Sequence, residues 1–479
     1  MNAADLQGLL PEMILAGGGV LVLLADAFLP AARRAFTGLS LLVTALAAWA
    51  AVEAVPAGPS FGGLIEATPV TRALSLVVLL AAAISLLASQ GYLRREGILS
   101  GEYHALLLWC ATGLLLMLRA TELLTVFLSL ELLSLCLYPL AAFHRRVNIG
   151  TEAAIKYFLM GAFVSAFVLY GLALLYGATG STRFDVIAQH LRAEGSVPVM
   201  ASLGVLLLVA GFGFKMSLVP FHAWAPDTYQ GAPSPFVAFL SVAPKVASAM
   251  VLFRVLEAAT AGGGISGAKW SRVVALLAIA SMAAGNLLAL AQRDIKRMLA
   301  YSGIAHMGYL LLAFVVLDRR SLGPVVVYLL AYVLMNSGAF AVVTLLYSRP
   351  GEQHLISDLA GWGYRFPVLG ACLTVSMLSL AGIPPTLGFF GKYLVFLNAV
   401  SDGWTWLAVV GVLASLVGVF YYLRVVYVLY MRPEVRQPQG LLIDGWGRLA
   451  VVLAALGTLA LGIWPARVVE WLLQGSLFP

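Results

Sequence analysis

A chain of 479 residues with 61% hydrophobic and only 11% charged side chains falls far outside soluble composition, where roughly a quarter of residues are charged. Its mean hydropathy of +0.95 calls for lipid as solvent. The formal charge of +7 sits in loops between apolar runs, where it sets membrane orientation; a nucleic-acid surface is excluded.

Apolar runs long enough to cross about 30 Å of hydrocarbon recur along the whole length. They are predicted near 9–28, 37–55, 73–90, 104–118, 122–143, 157–177, 199–219, 235–257, 273–291, 298–317, 323–346, 367–400 (interrupted), 405–431 and 449–472. Short alternating strand segments, the mark of a membrane barrel, are missing from this pattern. The expectation is an all-α polytopic membrane protein of about fourteen spans, in a single membrane domain without linkers. The opening "MNAADLQGLLPEMILAG" has neither a basic region before its apolar segment nor a small-residue cleavage site after it. It is predicted to be a first helix, not a signal peptide.

Arg33-Arg34, Arg94-Arg95, Arg145-Arg146, Arg293/Lys296/Arg297 and Arg432/Arg436 fall on one side if every span is real. The positive-inside rule makes that side the cytoplasm and leaves both termini outside. Arg319-Arg320 falls on the opposite side. The longest polar connection, "GSTRFDVIAQHLRAEGS", is predicted to hold a surface helix with Phe184, Ile187 and Leu191 on one face. Cys110, Cys136 and Cys372 show no paired spacing, so no disulfide framework, cluster or zinc site is expected. A Walker loop, a GxGxxG after a strand and an HExxH are likewise missing.

Four ionisable residues lie inside apolar runs: Glu131 in "VFLSLELLSL", Lys215 in "GFGFKMSLVP", Lys245 in "LSVAPKVASAM" and Lys392 in "GFFGKYLVF". A charge at the bilayer centre costs about 2.5–3.5 kcal/mol on insertion scales, so such residues face water or one another and mark function. The cation chosen matters too. The chain has 23 arginines and six lysines, yet the deep cations singled out are lysines. Arginine stays protonated in proteins, whereas a desolvated lysine can release its proton. A static ion pair would explain one lysine. Three, against an arginine habit, point to proton transfer.

Two of these lysines flank broken helices. "KMSLVPFHAWAPDTYQGAPSP" interrupts the seventh run with Pro220, Pro226, Pro233 and Pro235, and Pro384-Pro385 interrupts the twelfth. Paired proline-interrupted segments point to inverted-repeat transporters with the site at the breaks. Pro244, directly before Lys245, is expected to distort that helix locally.

Three blocks, "FHAWAPDTYQGAPSP", "RDIKRMLAYSGIAHMGYLLLA" and "LSLAGIPPTLGFFGKYLVF", resemble signature blocks of the antiporter-like membrane subunits of respiratory complex I. The Tyr-Gln-Gly-Ala-Pro wording is closest to the subunit N branch. That resemblance implies fourteen helices with two inverted five-helix repeats, near 104–260 and 270–431, each containing a broken helix. It implies a bacterial plasma-membrane location and M-like and K/J/A-like membrane neighbours beside a peripheral arm. NADH, FMN, iron–sulfur clusters and quinone would then sit in partner subunits, with no cofactor in this chain. Residue by residue, Glu131 matches the glutamate that pairs with the seventh-helix lysine, Lys215. Lys245 matches the central lysine, and Lys392 the lysine towards the exit.

A contact of about 4 Å between Glu131 and Lys215, at an effective dielectric near 20, is worth about 4 kcal/mol. Moving one charge against 100 mV costs about 2.3 kcal/mol. Making and breaking that contact is therefore enough to push a proton along Lys245 and Lys392, with redox energy supplied by neighbouring subunits. His306, beside Ser302 and Tyr309, is a candidate relay or a packed histidine. Asp227 is expected to pin the turn after the seventh-run break. Asn286, Asn336 and Ser337 read as interhelical glue, Glu122 and Glu257 as span ends, and Arg254 and Arg424 as snorkelling or ion-paired. The alternative function is a subunit of a multisubunit Na⁺/H⁺ antiporter, which co-purifying flavin and iron–sulfur subunits would exclude.

Overall fold

The computed structural model describes residues 3–144, 148–193, 197–260, 264–346, 354–433 and 444–465; Arg145-Arg146, Arg436, the end of the 180–196 connection and the stretch 466–472 of the last predicted run lie outside these described residues. In chain order come α1 (Ala3–Gly8), α2 (Leu10–Phe28), α3 (Phe36–Trp49), a small hairpin of β1 (Gly58–Ser60) and β2 (Ile65–Ala67), α4 (Pro69–Arg95), α5 (Gly101–Arg119), α6 (Leu123–Ala141) and α7 (Asn148–Thr179). Then follow α8 (Phe184–Ala193), α9 (Val199–Met216), α10 (Trp224–Gly231), α11 (Ser234–Leu240), α12 (Ala243–Thr260), α13 (Gly264–Ala291) and α14 (Ile295–Phe314). The chain continues with α15 (Leu322–Leu346), α16 (Trp362–Arg365), α17 (Pro367–Ala381), α18 (Leu387–Ser401), α19 (Thr405–Met431) and α20 (Gly445–Ile463).

Twelve of the described helical segments are long and apolar enough to cross a membrane. Two predicted runs take another form. The interrupted run 367–400 is split into α17 and α18, each of 15 residues. The run 298–317 becomes α14, whose 20 residues include Lys296, Arg297, Ser302, His306 and Tyr309. Lipid-facing leucines and phenylalanines on α2, α6, α7 and α19 stay exposed, as they do where hydrocarbon replaces water. This is a multi-pass helical membrane protein.

The interior belongs to two elements. Every residue in the apolar window of Ser234–Thr260 is buried, and Arg319–Leu346 is almost as enclosed. α15 packs against α4, α11, α17, α18 and α20, so side chains on these central helices cannot reach bulk solvent without a path through the protein.

The two breaks share a local design. α9 ends at Ser217, held left-handed at φ 62°, ψ 38°, and Leu218 N bonds back to Gly213 O at 2.7 Å. α17 ends at Gly382, at φ 83°, ψ 42°, and Ile383 N bonds back to Leu378 O at 3.0 Å. Each closes a helix C-terminus by satisfying carbonyls that would otherwise be orphaned. Pro220 and Pro385, three residues past the respective caps, both follow cis peptide bonds. The chain breaks again before Lys245, where Ser241 and Val242 separate α11 from α12, in line with the distortion expected at Pro244.

The remaining expectations sort cleanly. α8 buries Ile187 and Leu191, with Phe184 partly buried beside them. Arg319, expected on the side with few basic loops, is offset by Glu257 at 2.8 Å, and Arg320 by Asp318 at 3.9 Å. Arg254 and Arg424, expected to snorkel or to pair with a carboxylate, show no ion pair among the described residues and meet carbonyls instead. Arg254 donates to the Ala120 carbonyl just past α5. Arg424 donates to Leu290 O at 3.0 Å and Gln292 O at 2.6 Å at the end of α13. Both cations meet the negative ends of helix dipoles, whose last carbonyls lack intrahelical partners.

Candidate functional site

The proline breaks bring charge into the bundle. Lys215 lies in the last turn of α9, is 3% exposed, and donates to Ser134 Oγ at 2.9 Å. Its amine stands over the rings of Tyr138 and Tyr157, 5.9 and 5.6 Å from their centroids. Glu131, on α6, accepts instead from Ser165 Oγ of α7 at 2.5 Å. The contact expected between Glu131 and Lys215 is therefore open: no ion pair joins them among the described residues. Two serines compete for the charges, each offering a short bond within reach of its own helix pair.

Lys245, at the start of α12, is 1% exposed. Its Nζ donates to Tyr332 Oη at 3.1 Å and lies 5.3 Å from that ring's centroid. Gly303 of α14 makes room for the contact: a Cβ there would lie 2.8 Å from Lys245 Nζ and 2.7 Å from Tyr332 Oη.

Lys392, in α18, is enclosed at 6% exposure. Its Nζ donates to Leu380 O at 2.9 Å, Ala381 O at 3.1 Å and Ser415 Oγ at 2.9 Å, and sits 5.0 Å from the centroid of Tyr309. The double proline and the lysine thus belong together. The break frees the last carbonyls of α17, and the ammonium satisfies them.

His306 is buried between Lys245 and Lys392. Its Nδ1 pairs with Tyr328 Oη at 2.7 Å and its Nε2 with Tyr422 Oη at 3.1 Å, and Tyr422 Oη continues to Ser302 Oγ. Asn286 donates to Tyr309 Oη at 2.9 Å and accepts from Tyr421 Oη at 3.0 Å, while Asn336 donates to Ser241 Oγ at 2.8 Å. Ser337 donates to Ala238 O at 3.0 Å. These are the interhelical ties expected of them. Asp227 pins its turn through Arg297 at 2.6 Å and Lys156 at 3.1 Å. Glu122 accepts from Thr125 and Thr182.

Several groups in or near this axis carried little signal in the sequence. Tyr328 and Tyr332, four residues apart on one face of α15, look like ordinary membrane aromatics. Lys296, expected in a cytoplasmic loop, is 2% exposed and donates to Ala232 O at 2.7 Å. Glu12 and Arg119 form a buried pair at 2.7 and 2.9 Å across 107 residues of sequence.

A fold of this kind, with three buried lysines beside interrupted helices, is that of an antiporter-like membrane subunit. Residues 120–418 match the family described as NADH:quinone oxidoreductase/Mrp antiporter, TM, and the chain belongs to that family. It is 40% identical over 473 residues to NADH-quinone oxidoreductase subunit N of Trichlorobacter lovleyi, covering 98% of this chain and 96% of the relative. Among solved structures it superposes with TM-score 0.82 and 35% identity on a chain of respiratory complex I from Thermus thermophilus, covering 96% of this chain and 98% of the other. A chain of the Mrp complex from Dietzia also reaches TM-score 0.82, at 20% identity, covering 100% and 97%. At that identity the likeness is one of fold.

Proposed function

We propose that this chain moves protons through the membrane arm of an NADH–quinone oxidoreductase, along Glu131, Lys215, Lys245, His306 and Lys392, driven by quinone reduction in neighbouring subunits. The observation that carries this reading is what the three buried amines touch. Their hydrogen-bond partners are hydroxyls and carbonyls: Ser134 for Lys215, Tyr332 for Lys245, and Leu380, Ala381 and Ser415 for Lys392. A lysine paired to a carboxylate is locked in its charged form. One held by neutral oxygens can give up its proton without stranding a buried counter-charge.

The fold supports the same reading. α14 and the split α17–α18 element, beside the twelve long apolar segments, support a reading of fourteen crossings. The matched left-handed caps at Ser217 and Gly382 support inverted repeats spanning 104–260 and 270–431 within one membrane domain. In this arrangement the chain is a non-redox subunit of a bacterial plasma-membrane translocase, with both termini outside. M-like and K/J/A-like subunits are its membrane neighbours. NADH, FMN, iron–sulfur clusters and quinone lie in partner subunits.

The test is substitution by arginine in the assembled complex. Lys392→Arg keeps a cation that can cap the Leu380 and Ala381 carbonyls but removes the ability to deprotonate. Reconstituted in proteoliposomes, Lys245→Arg and Lys392→Arg complexes should assemble and oxidise NADH with an artificial acceptor, yet lose proton pumping. Normal pumping by both would sink the proposal.

A further inference from the structure

We propose that the phenols of Tyr328 and Tyr422 make His306 a two-sided proton exchanger between Lys245 and Lys392. This rests on the function proposed above and names the groups that bridge its two lysines.

A neutral imidazole carries a proton on one nitrogen and a lone pair on the other. A packed histidine needs a single partner type on each side: an acceptor for its N–H, a donor for its lone pair. His306 has a phenol on both, Tyr328 Oη on Nδ1 and Tyr422 Oη on Nε2. Each phenol can donate or accept, so both tautomers are satisfied without moving the ring. When a proton arrives at one nitrogen, the proton on the other leaves to the facing phenol oxygen. On the Tyr422 side, that phenol's own proton passes to Ser302 Oγ, and the Ser302 hydroxyl releases its own proton to a water molecule as the next acceptor. One proton advances, the N–H and O–H bonds broken equal those formed, and no charge remains on the ring.

The exchanger has a lysine at each end. Tyr332, one turn from Tyr328 on α15, accepts from Lys245, and its ring centroid lies 5.4 Å from that of His306. On the other side, the Leu380 carbonyl that accepts from Lys392 also faces the His306 imidazole. Gly391, next to Lys392, packs against the backbone of Tyr328: a Cβ there would meet Tyr328 Cα at 3.2 Å. Helices α15, α17 and α19 thus bring Tyr328, the Leu380 carbonyl and Tyr422 to the one imidazole of α14.

The test uses the whole complex in proteoliposomes, with Tyr422→Phe and Tyr328→Phe, which keep the rings and remove only the hydroxyls. Pumping per assembled complex should fall roughly tenfold, less than the about 10²–10⁴-fold that a positioned proton-transfer group can supply, because the ring and its second phenol remain. The pH profile should shift, and a solvent deuterium effect larger than that of the unmodified complex should appear. Because the three residues act as a unit, adding His306→Phe to Tyr422→Phe should cost little more. Ser302→Ala, which leaves every ring in place, should reproduce a smaller loss and serves if a tyrosine variant fails to assemble. Unchanged pumping and pH profile in the phenol and Ser302 variants would overturn the exchanger. If Lys245→Arg and Lys392→Arg abolish pumping in the same preparation, only the exchanger falls. If they pump normally, the function beneath it falls too.

Discussion

Glu131 and Lys215 lie on different helices of the same bundle, and each is bonded to its own serine: the carboxylate to Ser165, the ammonium to Ser134. No ion pair joins the two among the described residues. A hydrogen bond to a charged group is worth about 1.5–3 kcal/mol, a magnitude comparable to the ion pair it competes with. Two serines can therefore hold apart charges that would otherwise close.

Removing one serine should tilt that balance. In Ser165→Ala the carboxylate loses its alternative partner and is freed to close on Lys215. A loss of about 1.5 kcal/mol moves the equilibrium roughly tenfold towards the closed pair. A closed pair holds its proton, so pumping by the reconstituted complex should slow while NADH oxidation with an artificial acceptor stays unchanged. A variant pumping at the original rate would show that the serine bond does not bias the switch.

A stability prediction concerns Glu12 and Arg119, buried between α2 and α5, where Arg119 Nη1 donates to both Glu12 carboxylate oxygens and Nη2 donates to Gly8 O at 2.6 Å. Breaking a buried pair from one side leaves an uncompensated charge and costs about 3–5 kcal/mol. Glu12→Gln and Arg119→Met should each lower the yield of folded chain. The double variant should recover part of it, because no lone charge is left. Thermal aggregation in detergent gives the measurement, and two single losses that simply add would count against a coupled pair.

How far the sequence reaches is clearest at the lysines. Lys392 beside Pro384-Pro385 is legible because a polar residue in hydrocarbon and a helix break are both local events. The many apolar runs and the short α8 are local as well. Lys296 is not legible: it reads as a loop cation, and only the approach of α10 buries it on the Ala232 carbonyl. The open Glu131–Lys215 contact depends on Ser165, 34 residues away, and the phenols around His306 come from helices 22 and 116 residues distant. Such pairings are set by tertiary packing, which neither periodicity nor composition encodes.

Asp227 supplies a pH-dependent tie outside the long spans. Burial alone would raise its carboxyl, but bonds from Arg297 and Lys156 outweigh that and hold it below the ordinary value. A depressed carboxyl contributes stability above its unfolded value and loses it as pH falls through the folded one. Amide exchange in 224–231, taken relative to the intrinsic rate at each pH, should therefore stay slow at neutral pH and quicken only in acid, below the ordinary carboxylate range of about 4. Asp227→Asn should quicken it at neutral pH and match the parent protein once Asp227 is protonated in acid. Equal exchange in the two proteins at pH 7 would mean that the ion pairs do not hold α10.

Gly303 separates positioning from stability. It lies inside α14, where glycine costs about 1 kcal/mol relative to alanine, so a helix that retains it gains something else. The Cβ of Gly303→Ala would meet Lys245 Nζ at 2.8 Å and Tyr332 Oη at 2.7 Å. Both are ends of side chains that can move, so the helix need not shift. The variant should assemble at least as well as the parent protein while the amine is pushed off the phenol and pumping falls severalfold. Gly285→Ala is the contrast: its Cβ would meet backbone, Ala305 N at 2.5 Å and Tyr301 O at 2.8 Å, so α13 and α14 must part and assembly itself should fail. A Gly303→Ala complex that both assembles and pumps normally would show that the Lys245–Tyr332 contact is not used.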